Sequence, residues 1–333
     1  MTWIDTRLWG DVRGIPDALR RTLNERDGFA EVAAILRDAR RIVTTGNGAA
    51  YYVGHALWLA SLDGLDGPPI EAVPGGLVAN GRFRWRAGDR LLAISSSGEF
   101  RDVVEALAQD APRPAAAVTA NADSTIGRGV DARALQTVLA QSAVTHTQAF
   151  CGGVAVALAV WAEVTDDEAL RVELRNLPGA VERAIAACEG WITSIGELAV
   201  PPVAVAFGSG PAWAGALETS LFLKEVAGIP TEGCETREGA TTAMFACAPG
   251  HLVLSLATRG DLLLDEAERL CAARGARVLR LPGGELADRR LAPITALPAI
   301  TAISTHLALL AGRDPDRPDW EDAYYATARG AKG

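Results

Sequence analysis

Arg41-Ile-Val-Thr-Thr-Gly46-Asn-Gly48-Ala-Ala-Tyr51, running on to Leu59, is matched further along by Val203-Ala-Val-Ala-Phe-Gly208-Ser-Gly210-Pro-Ala-Trp213, running on to Leu223. Each stretch reads as a short apolar strand, a Gly-x-Gly turn and an amphipathic helix. A strand–turn–helix unit that occurs twice in 333 residues predicts two similar α/β domains. The alternation continues outward from each copy. After the first, Arg90–Ile94 reads as a strand, Glu99–Gln109 as a helix and Ala115–Thr119 as a strand. After the second, His251–Leu256, Asp261–Arg274 and Ala276–Leu281 repeat that order. Strands that are apolar along their length belong to a parallel sheet covered on both faces. Between the copies, Thr165–Val200 is charged and rich in helix formers, which predicts connecting helices. Arg313–Gly333 carries prolines, charges and aromatics and reads as a tail, either wrapped over a site or loose.

Composition narrows the function. Hydrophobic residues make up 49% of the chain and charged residues 22%, the balance of a globular protein with real cores. The net charge of −9 disfavours a nucleic-acid partner, which needs clustered Lys and Arg, but leaves room for a small anion held by local donors. The five cysteines, Cys151, Cys188, Cys234, Cys247 and Cys271, include no C-x-x-C pair, so reduced and buried thiols are expected rather than a disulfide framework or a metal site. The opening Met-Thr-Trp-Ile-Asp-Thr-Arg lacks the pattern of a signal peptide. Ala149–Val164 is shorter than the ~20 residues that span a bilayer and reads as a buried helix, so no membrane partner is expected. Cytoplasmic localisation follows as the expectation.

Ile94-Ser95-Ser96-Ser97-Gly98-Glu99 is the strongest local chemical signal. It places three hydroxyls and a glycine between the end of a strand and the start of a helix. A helix N-terminus offers free N–H groups and a dipole that favours an anion, and glycine allows close backbone approach. Helix capping needs one serine; three together point to a phosphate cradle. The Gly-x-Gly turns lack the third glycine of a dinucleotide fingerprint, since Tyr51 and Trp213 stand in its place, so no nicotinamide cofactor is expected. His55, His251 and His306 each sit in an apolar pattern and read as core or interface residues.

These segments resemble, in order along nearly the whole chain, the double-SIS-domain phosphosugar isomerase family, in particular the isomerase half of glucosamine-6-phosphate synthase. Ser95-Ser-Ser-Gly-Glu99 resembles the serine loop S-x-S-G-E-T. Leu217-Glu-Thr-Ser-Leu-Phe-Leu-Lys-Glu225 resembles the helix A-L-E-G-A-L-K-L-K-E. Val144-Thr-His-Thr-Gln-Ala-Phe150 is similar to V-A-S-T-K-A-F. Ser304 to Pro318 is similar to the C-terminal helix and its D-x-D-x-P segment, and Asp11-Val12 with Pro16 to the opening segment.

The resemblance implies an α/β fold of two tandem flavodoxin-like SIS domains. They divide the chain as 1–28 N-terminal helical segment, 29–165 first SIS domain, 166–200 connecting helices, 201–312 second SIS domain and 313–333 tail. It implies phosphate or substrate binding by Gly48, Ser95, Ser96, Ser97, Gly98, Val144, His146 and Lys224. It also implies a catalytic base at Glu225, on a helix whose buried face is read as Leu217, Leu221 and Val226. Phe100 and Ala49 replace two hydroxyl residues of the pattern, and Phe222 stands where another lysine is common. The ring-opening histidine is replaced by Glu238 when a three-residue deletion is allowed, or by Thr241 without a gap. Ala323 falls at the place of the terminal lysine, and Lys332 is out of register.

The chemistry implied is transfer of a proton between C1 and C2 of a sugar phosphate through an enediol, with Glu225 and then Glu238 as the catalytic carboxylates. No cofactor and no metal is implied. A homodimer with sites near the subunit interface is implied. The missing terminal lysine, and a match with no glutaminase segment ahead of it, disfavour amination from glutamine. Three functions remain open: a non-aminating aldose–ketose isomerase, a ketosugar-phosphate deglycase or deaminase, and a phosphosugar-binding protein with altered catalysis.

Overall fold

The structure, a computed structural model, describes residues 2–63, 67–109 and 111–328. The chain divides into two compact units. One comprises Asp17–Leu139, Gln148–Arg175 and Asp319–Gly333; the other comprises Met1–Pro16, Ala140–Thr147 and Asn176–Pro318.

The first of these units is built on five parallel strands, β1 (Arg41–Gly46), β2 (Ile70–Pro74), β3 (Asp89–Ile94), β4 (Ala116–Thr119) and β5 (Ala132–Leu135), in the order β2-β1-β3-β4-β5. This is the flavodoxin-like order, whose direction reverses between β1 and β3; ligands bind at such a switch point, beyond the carboxyl ends of the strands. Thr45 of β1 pairs with Ala93 of β3, so the loops that follow both strands leave the sheet side by side. The helix Ala49–Ser61 returns from Gly48 along β1 and β2 and packs against the helix Gln148–Thr165. That second helix is buried over nearly all its length, as its Ala- and Val-rich sequence requires.

The other unit repeats the plan with four parallel strands, β6 (Ala204–Gly208), β7 (Thr231–Glu235), β8 (Leu252–Leu256) and β9 (Arg277–Leu281), in the order β7-β6-β8-β9. The helix Ala212–Phe222 lies on β6 and β7. Its approach is close: a Cβ added at Gly233 would stand 2.6 Å from the Ala216 carbonyl oxygen. Helix Leu297–Leu310 is buried along most of its length and packs against Ala212–Phe222. Asp316, in the segment similar to D-x-D-x-P, accepts hydrogen bonds from the backbone N–H of Arg7 (3.0 Å) and Leu8 (2.9 Å), a carboxylate at the start of the helix Arg7–Arg13.

The strands and helices expected around the two Gly-x-Gly turns are all present, with ends shifted by one or two residues. The helix expected from Glu99 starts at Arg101, because Phe100 is its N-cap. Thr165–Val200, expected to hold connecting helices, holds one helix, Glu168–Ser194, which carries Pro178 inside it. The tail is partly helical, over Glu321–Ala328, with Ala323 exposed on it; Lys332 lies outside the described residues. All five cysteines are buried thiols outside any disulfide. Burial pushes the Cys188, Cys234 and Cys271 thiols up to about 12.

Candidate functional site

The carboxyl ends of β1 and β3 carry the residues that the serine-loop motif singled out. Gly48 is the N-cap of Ala49–Ser61 and adopts φ +54. Ser95 is buried, and its Oγ accepts a hydrogen bond from the Gly98 N–H at 3.1 Å. The Ser96 carbonyl accepts from the Ala120 N–H (2.9 Å) and the Thr119 hydroxyl (3.2 Å). Ser97 is exposed, its Oγ accepting from the Glu99 N–H at 3.2 Å. Gly98 adopts φ +70, and a Cβ there would fall 1.9 Å from the Ser124 Oγ, so only glycine fits.

Glu99 is not aimed at a ligand. Its carboxylate accepts from the backbone N–H and the hydroxyl of Thr125, both at 2.7 Å, at the start of the helix Thr125–Gly129. The following helix, Arg101–Ala108, has no side-chain cap, so its first amides lack a partner within the helix. A rigid serine loop feeding an uncapped helix N-terminus suits a dianion. Phe100 is half-buried and packs on Ala93, Val103, Ala117 and Ile126, which explains an aromatic where the motif has a hydroxyl. The equivalent loop of the second sheet, Ala257–Asp261, is capped: Asp261 accepts from the Leu264 N–H at 3.2 Å, and a carboxylate there repels an anion. The first loop has no such carboxylate cap, although Asp102 stands in the first turn of its helix.

Three residues not singled out by motif brace that edge. Asn47 donates from Nδ2 to Asp102 at 2.6 Å and accepts at Oδ1 from the Gly75 N–H at 3.1 Å. The bracket ties the ends of β1 and β2 to the helix after the serine loop. An Asn between two glycines is a weak signal in sequence, because its partners come from other strands.

The other unit holds the carboxyl groups. The helix Ala212–Phe222 does not end in α geometry but continues as a π turn, Leu223–Ala227, which carries Lys224 and Glu225. Single π turns inside helices re-aim side chains and are frequent at functional sites. The turn is held by the Ile229 N–H donating to the Leu223 carbonyl at 2.9 Å, and Ser220 Oγ donates to the carbonyl of Thr231 at 2.7 Å. Thr231 is the first residue of β7, so Glu225 lies toward the amino edge of the second sheet. Lys224 is exposed. Burial pushes the Glu225 carboxyl up to about 7, against the opposing pull of Lys224.

The helix buries a different face from the one expected. Val226 is buried, but Leu217 and Leu221 are half-buried, while Glu218, Thr219 and Ser220 are buried. The reason is local: the Thr219 hydroxyl donates to the Gly215 carbonyl at 2.8 Å and Ser220 is bonded to β7, so both polar side chains are satisfied inside. Glu218 is not. It is fully buried, and neither carboxyl oxygen has a hydrogen-bond partner. Burial, with repulsion from Glu225, holds its carboxyl well above the usual range. Sequence reading passed over it because a glutamate inside a helix is ordinary until its burial is known.

Glu238 is exposed in the first turn of the helix Thr236–Thr241, which follows the carboxyl end of β7. Its N–H donates to Glu235 at 3.0 Å. Glu225 and Glu238 therefore sit at opposite ends of a five-residue strand, about 16 Å long at 3.3 Å per residue. The structure does not bring these two carboxylates together within one sheet. In the same unit, Asp11 accepts from the N–H groups of Ser142 (3.0 Å) and Ala143 (2.9 Å), fixing the segment that carries half-buried Val144 and exposed His146. His146 Nδ1 lies 3.5 Å from Gln141 Oε1. His55 is buried, and burial lowers it to about 4, which makes it a neutral core residue between the rings of Tyr51 and Trp58. His306 is half-buried in the helix Leu297–Leu310, and His251 precedes β8. Among the described residues, no group of three or more His, Cys, Asp or Glu is placed to hold a metal.

Comparison with known proteins gives the same frame. No protein-family profile matches the chain. The glutamine–fructose-6-phosphate aminotransferase (isomerizing) of Aeropyrum pernix is 27% identical over 351 aligned positions, covering 91% of this chain and 54% of that protein. Among solved structures, the C-terminal domain of glucosamine-fructose-6-phosphate aminotransferase from Francisella tularensis superposes with a TM-score of 0.82 at 18% identity, covering 94% of this chain and 98% of that one. Tagatose-6-phosphate ketose/aldose isomerase from Escherichia coli does so at 0.71 and 19%, covering 95% and 96%. The fold is that of a double-SIS-domain protein. The chain is similar in sequence to the isomerase portion of those aminotransferases and shares the fold of these solved structures. It spans about half the length of the curated relatives it matches.

Proposed function

We propose that the protein is a non-aminating phosphosugar isomerase that moves a proton between C1 and C2 of its substrate, with Glu225 as the base and the Ser95–Gly98 loop as the phosphate cradle. One observation carries the reading. Glu225 stands on a π turn, half-buried, with its carboxyl raised to about 7. A base that must take a proton from one carbon and return it to the next works best when its own proton affinity matches the ambient pH. The serine loop supports the substrate class, because its donors and uncapped helix fit a phosphate. Lys224 supplies a cation beside the base. We further read the protein as a cytoplasmic homodimer.

A thermal-shift panel of aldose and ketose 6-phosphates tests the substrate class. A true ligand at 100 times its Kd adds about 2.7 kcal/mol of apparent stability. Ser97→Ala is expected to weaken that ligand several-fold, since a hydrogen bond to a charged group contributes roughly 1.5–3 kcal/mol. An unchanged affinity in calorimetry would remove phosphate from this loop.

A further inference from the structure

Glu218 lies seven residues before Glu225 on one continuous helical segment, the helix Ala212–Phe222 with its π turn. It has zero exposed surface, and both its oxygens lack a hydrogen-bond partner. On a helix, a counter-cation for a glutamate sits three or four residues away. Here those positions are Ala214, Gly215, Leu221 and Phe222, none of them charged.

Neighbouring elements supply no buried cation either. The titratable groups of β7 are Glu232, Cys234 and Glu235, and those of the π turn are Lys224 and Glu225. Helix Leu297–Leu310 brings His306, which burial keeps toward its neutral form. Strands β6 and β8 and the short helix Ala292–Thr295 bring none. Lys224 is the one permanent cation of these elements, and it is exposed, as is Arg313, whose guanidinium lies beside Gly228 at the end of the π turn. A carboxylate in such a place is far costlier than a carboxylic acid.

We propose that Glu218 is the proton-holding partner of Glu225: at and above neutral pH the two carboxyls carry at most one negative charge between them, and the proton that remains rests on Glu218. Glu218 is thus a positioning residue. It keeps the negative charge on the carboxyl nearer the surface, the one read above as the base. Its functional meaning rests on that reading, but its protonation state does not.

The test is made on the full chain labelled with ¹³C at the glutamate carboxyl carbon, titrated from about pH 5 to pH 9 across the carboxyl range. Glu218→Gln and Glu225→Gln assign the two signals. At pH 7 the Glu218 signal is expected at the carboxylic acid position. In Glu225→Gln its midpoint is expected to fall by about one unit, a tenfold loss of proton affinity. A carboxylate signal for Glu218 at pH 7, or a midpoint indifferent to Glu225→Gln, overturns the proposal. Should Glu218→Gln fail to fold, infrared difference spectra of the wild type against Glu225→Gln report the same buried acid through its C=O stretch, and absence of that band above the carboxylate region counts equally against it. No substrate enters either measurement. A protein that exchanges no sugar hydrogen would refute the isomerase reading while leaving this result standing.

Discussion

At the scale of single residues, the half-buried carboxyl of Glu225 makes a prediction about stability. Its folded value, about 7, lies above its ordinary 4.5, so the folded chain binds that proton more tightly than the unfolded chain. The stability this contributes is fully present below pH 4.5 and is lost as pH rises through 7, a change of about 3 kcal/mol. Glu218, raised well above the same ordinary value, acts with the same sign. Urea unfolding at pH 5 and pH 8 is expected to show Glu225→Gln losing less stability over that interval than the wild type; parallel losses would mean that Glu225 titrates alike in both states. The serine loop and Glu225 were singled out from sequence because motif and position carry them. The bond of Glu99 to Thr125 and the burial of Glu218 were not legible there. Glu99 sits inside the phosphate motif yet spends its carboxylate on Thr125, and Glu218 reads as a surface glutamate until the packing of its helix is known.

At the scale of elements, what the sequence concealed was three of the four sheet edges, the fourth, β9, being read directly. The strands read directly from apolar runs include β1, β3, β4, β6 and β8, which have neighbours on both sides. Strands β2, β5 and β7 are edge strands, and their sequences mix polar and small residues: Ile-Glu-Ala-Val-Pro, Ala-Arg-Ala-Leu and Thr-Glu-Gly-Cys-Glu. An edge strand is solvated on one side, so continuous hydrophobicity is not demanded of it. Gly233 of β7 has a structural reason of its own, since the helix leading to Glu225 lies against it. Gly233→Ala places a Cβ 2.6 Å from the Ala216 carbonyl. The helix must then lift away, at a cost of about 1–3 kcal/mol. A lower urea midpoint with an unchanged m-value is the expected result; a fully stable variant would show that the contact is looser than described.

At the scale of the whole molecule, the placement of Glu225 and Glu238 at opposite ends of β7 bears on assembly. If both carboxylates serve one reaction, the second comes from another copy of the chain, as in the homodimer we propose. Mixing Glu225→Gln with Glu238→Gln after co-unfolding and refolding then forms hybrid dimers in which one site regains both wild-type residues. With random pairing, about a quarter of wild-type activity should return. No recovery from two inactive parents, in a mixture that light scattering shows to be dimeric, would remove Glu238 from the site of the partner.

The central claim is that Glu225 transfers a carbon-bound proton, and hydrogen exchange tests it most directly. Wild-type protein in D₂O with fructose 6-phosphate, tagatose 6-phosphate and the sugar phosphates that stabilise it in the thermal panel is followed by proton NMR at C1 and C2. The account predicts deuterium wash-in at one of these carbons for a bound sugar phosphate. It also predicts a fall of about 100- to 10,000-fold in that rate for Glu225→Gln, with binding retained. Wash-in at the wild-type rate in Glu225→Gln, or its absence in wild-type protein with a sugar phosphate that demonstrably binds, would contradict it.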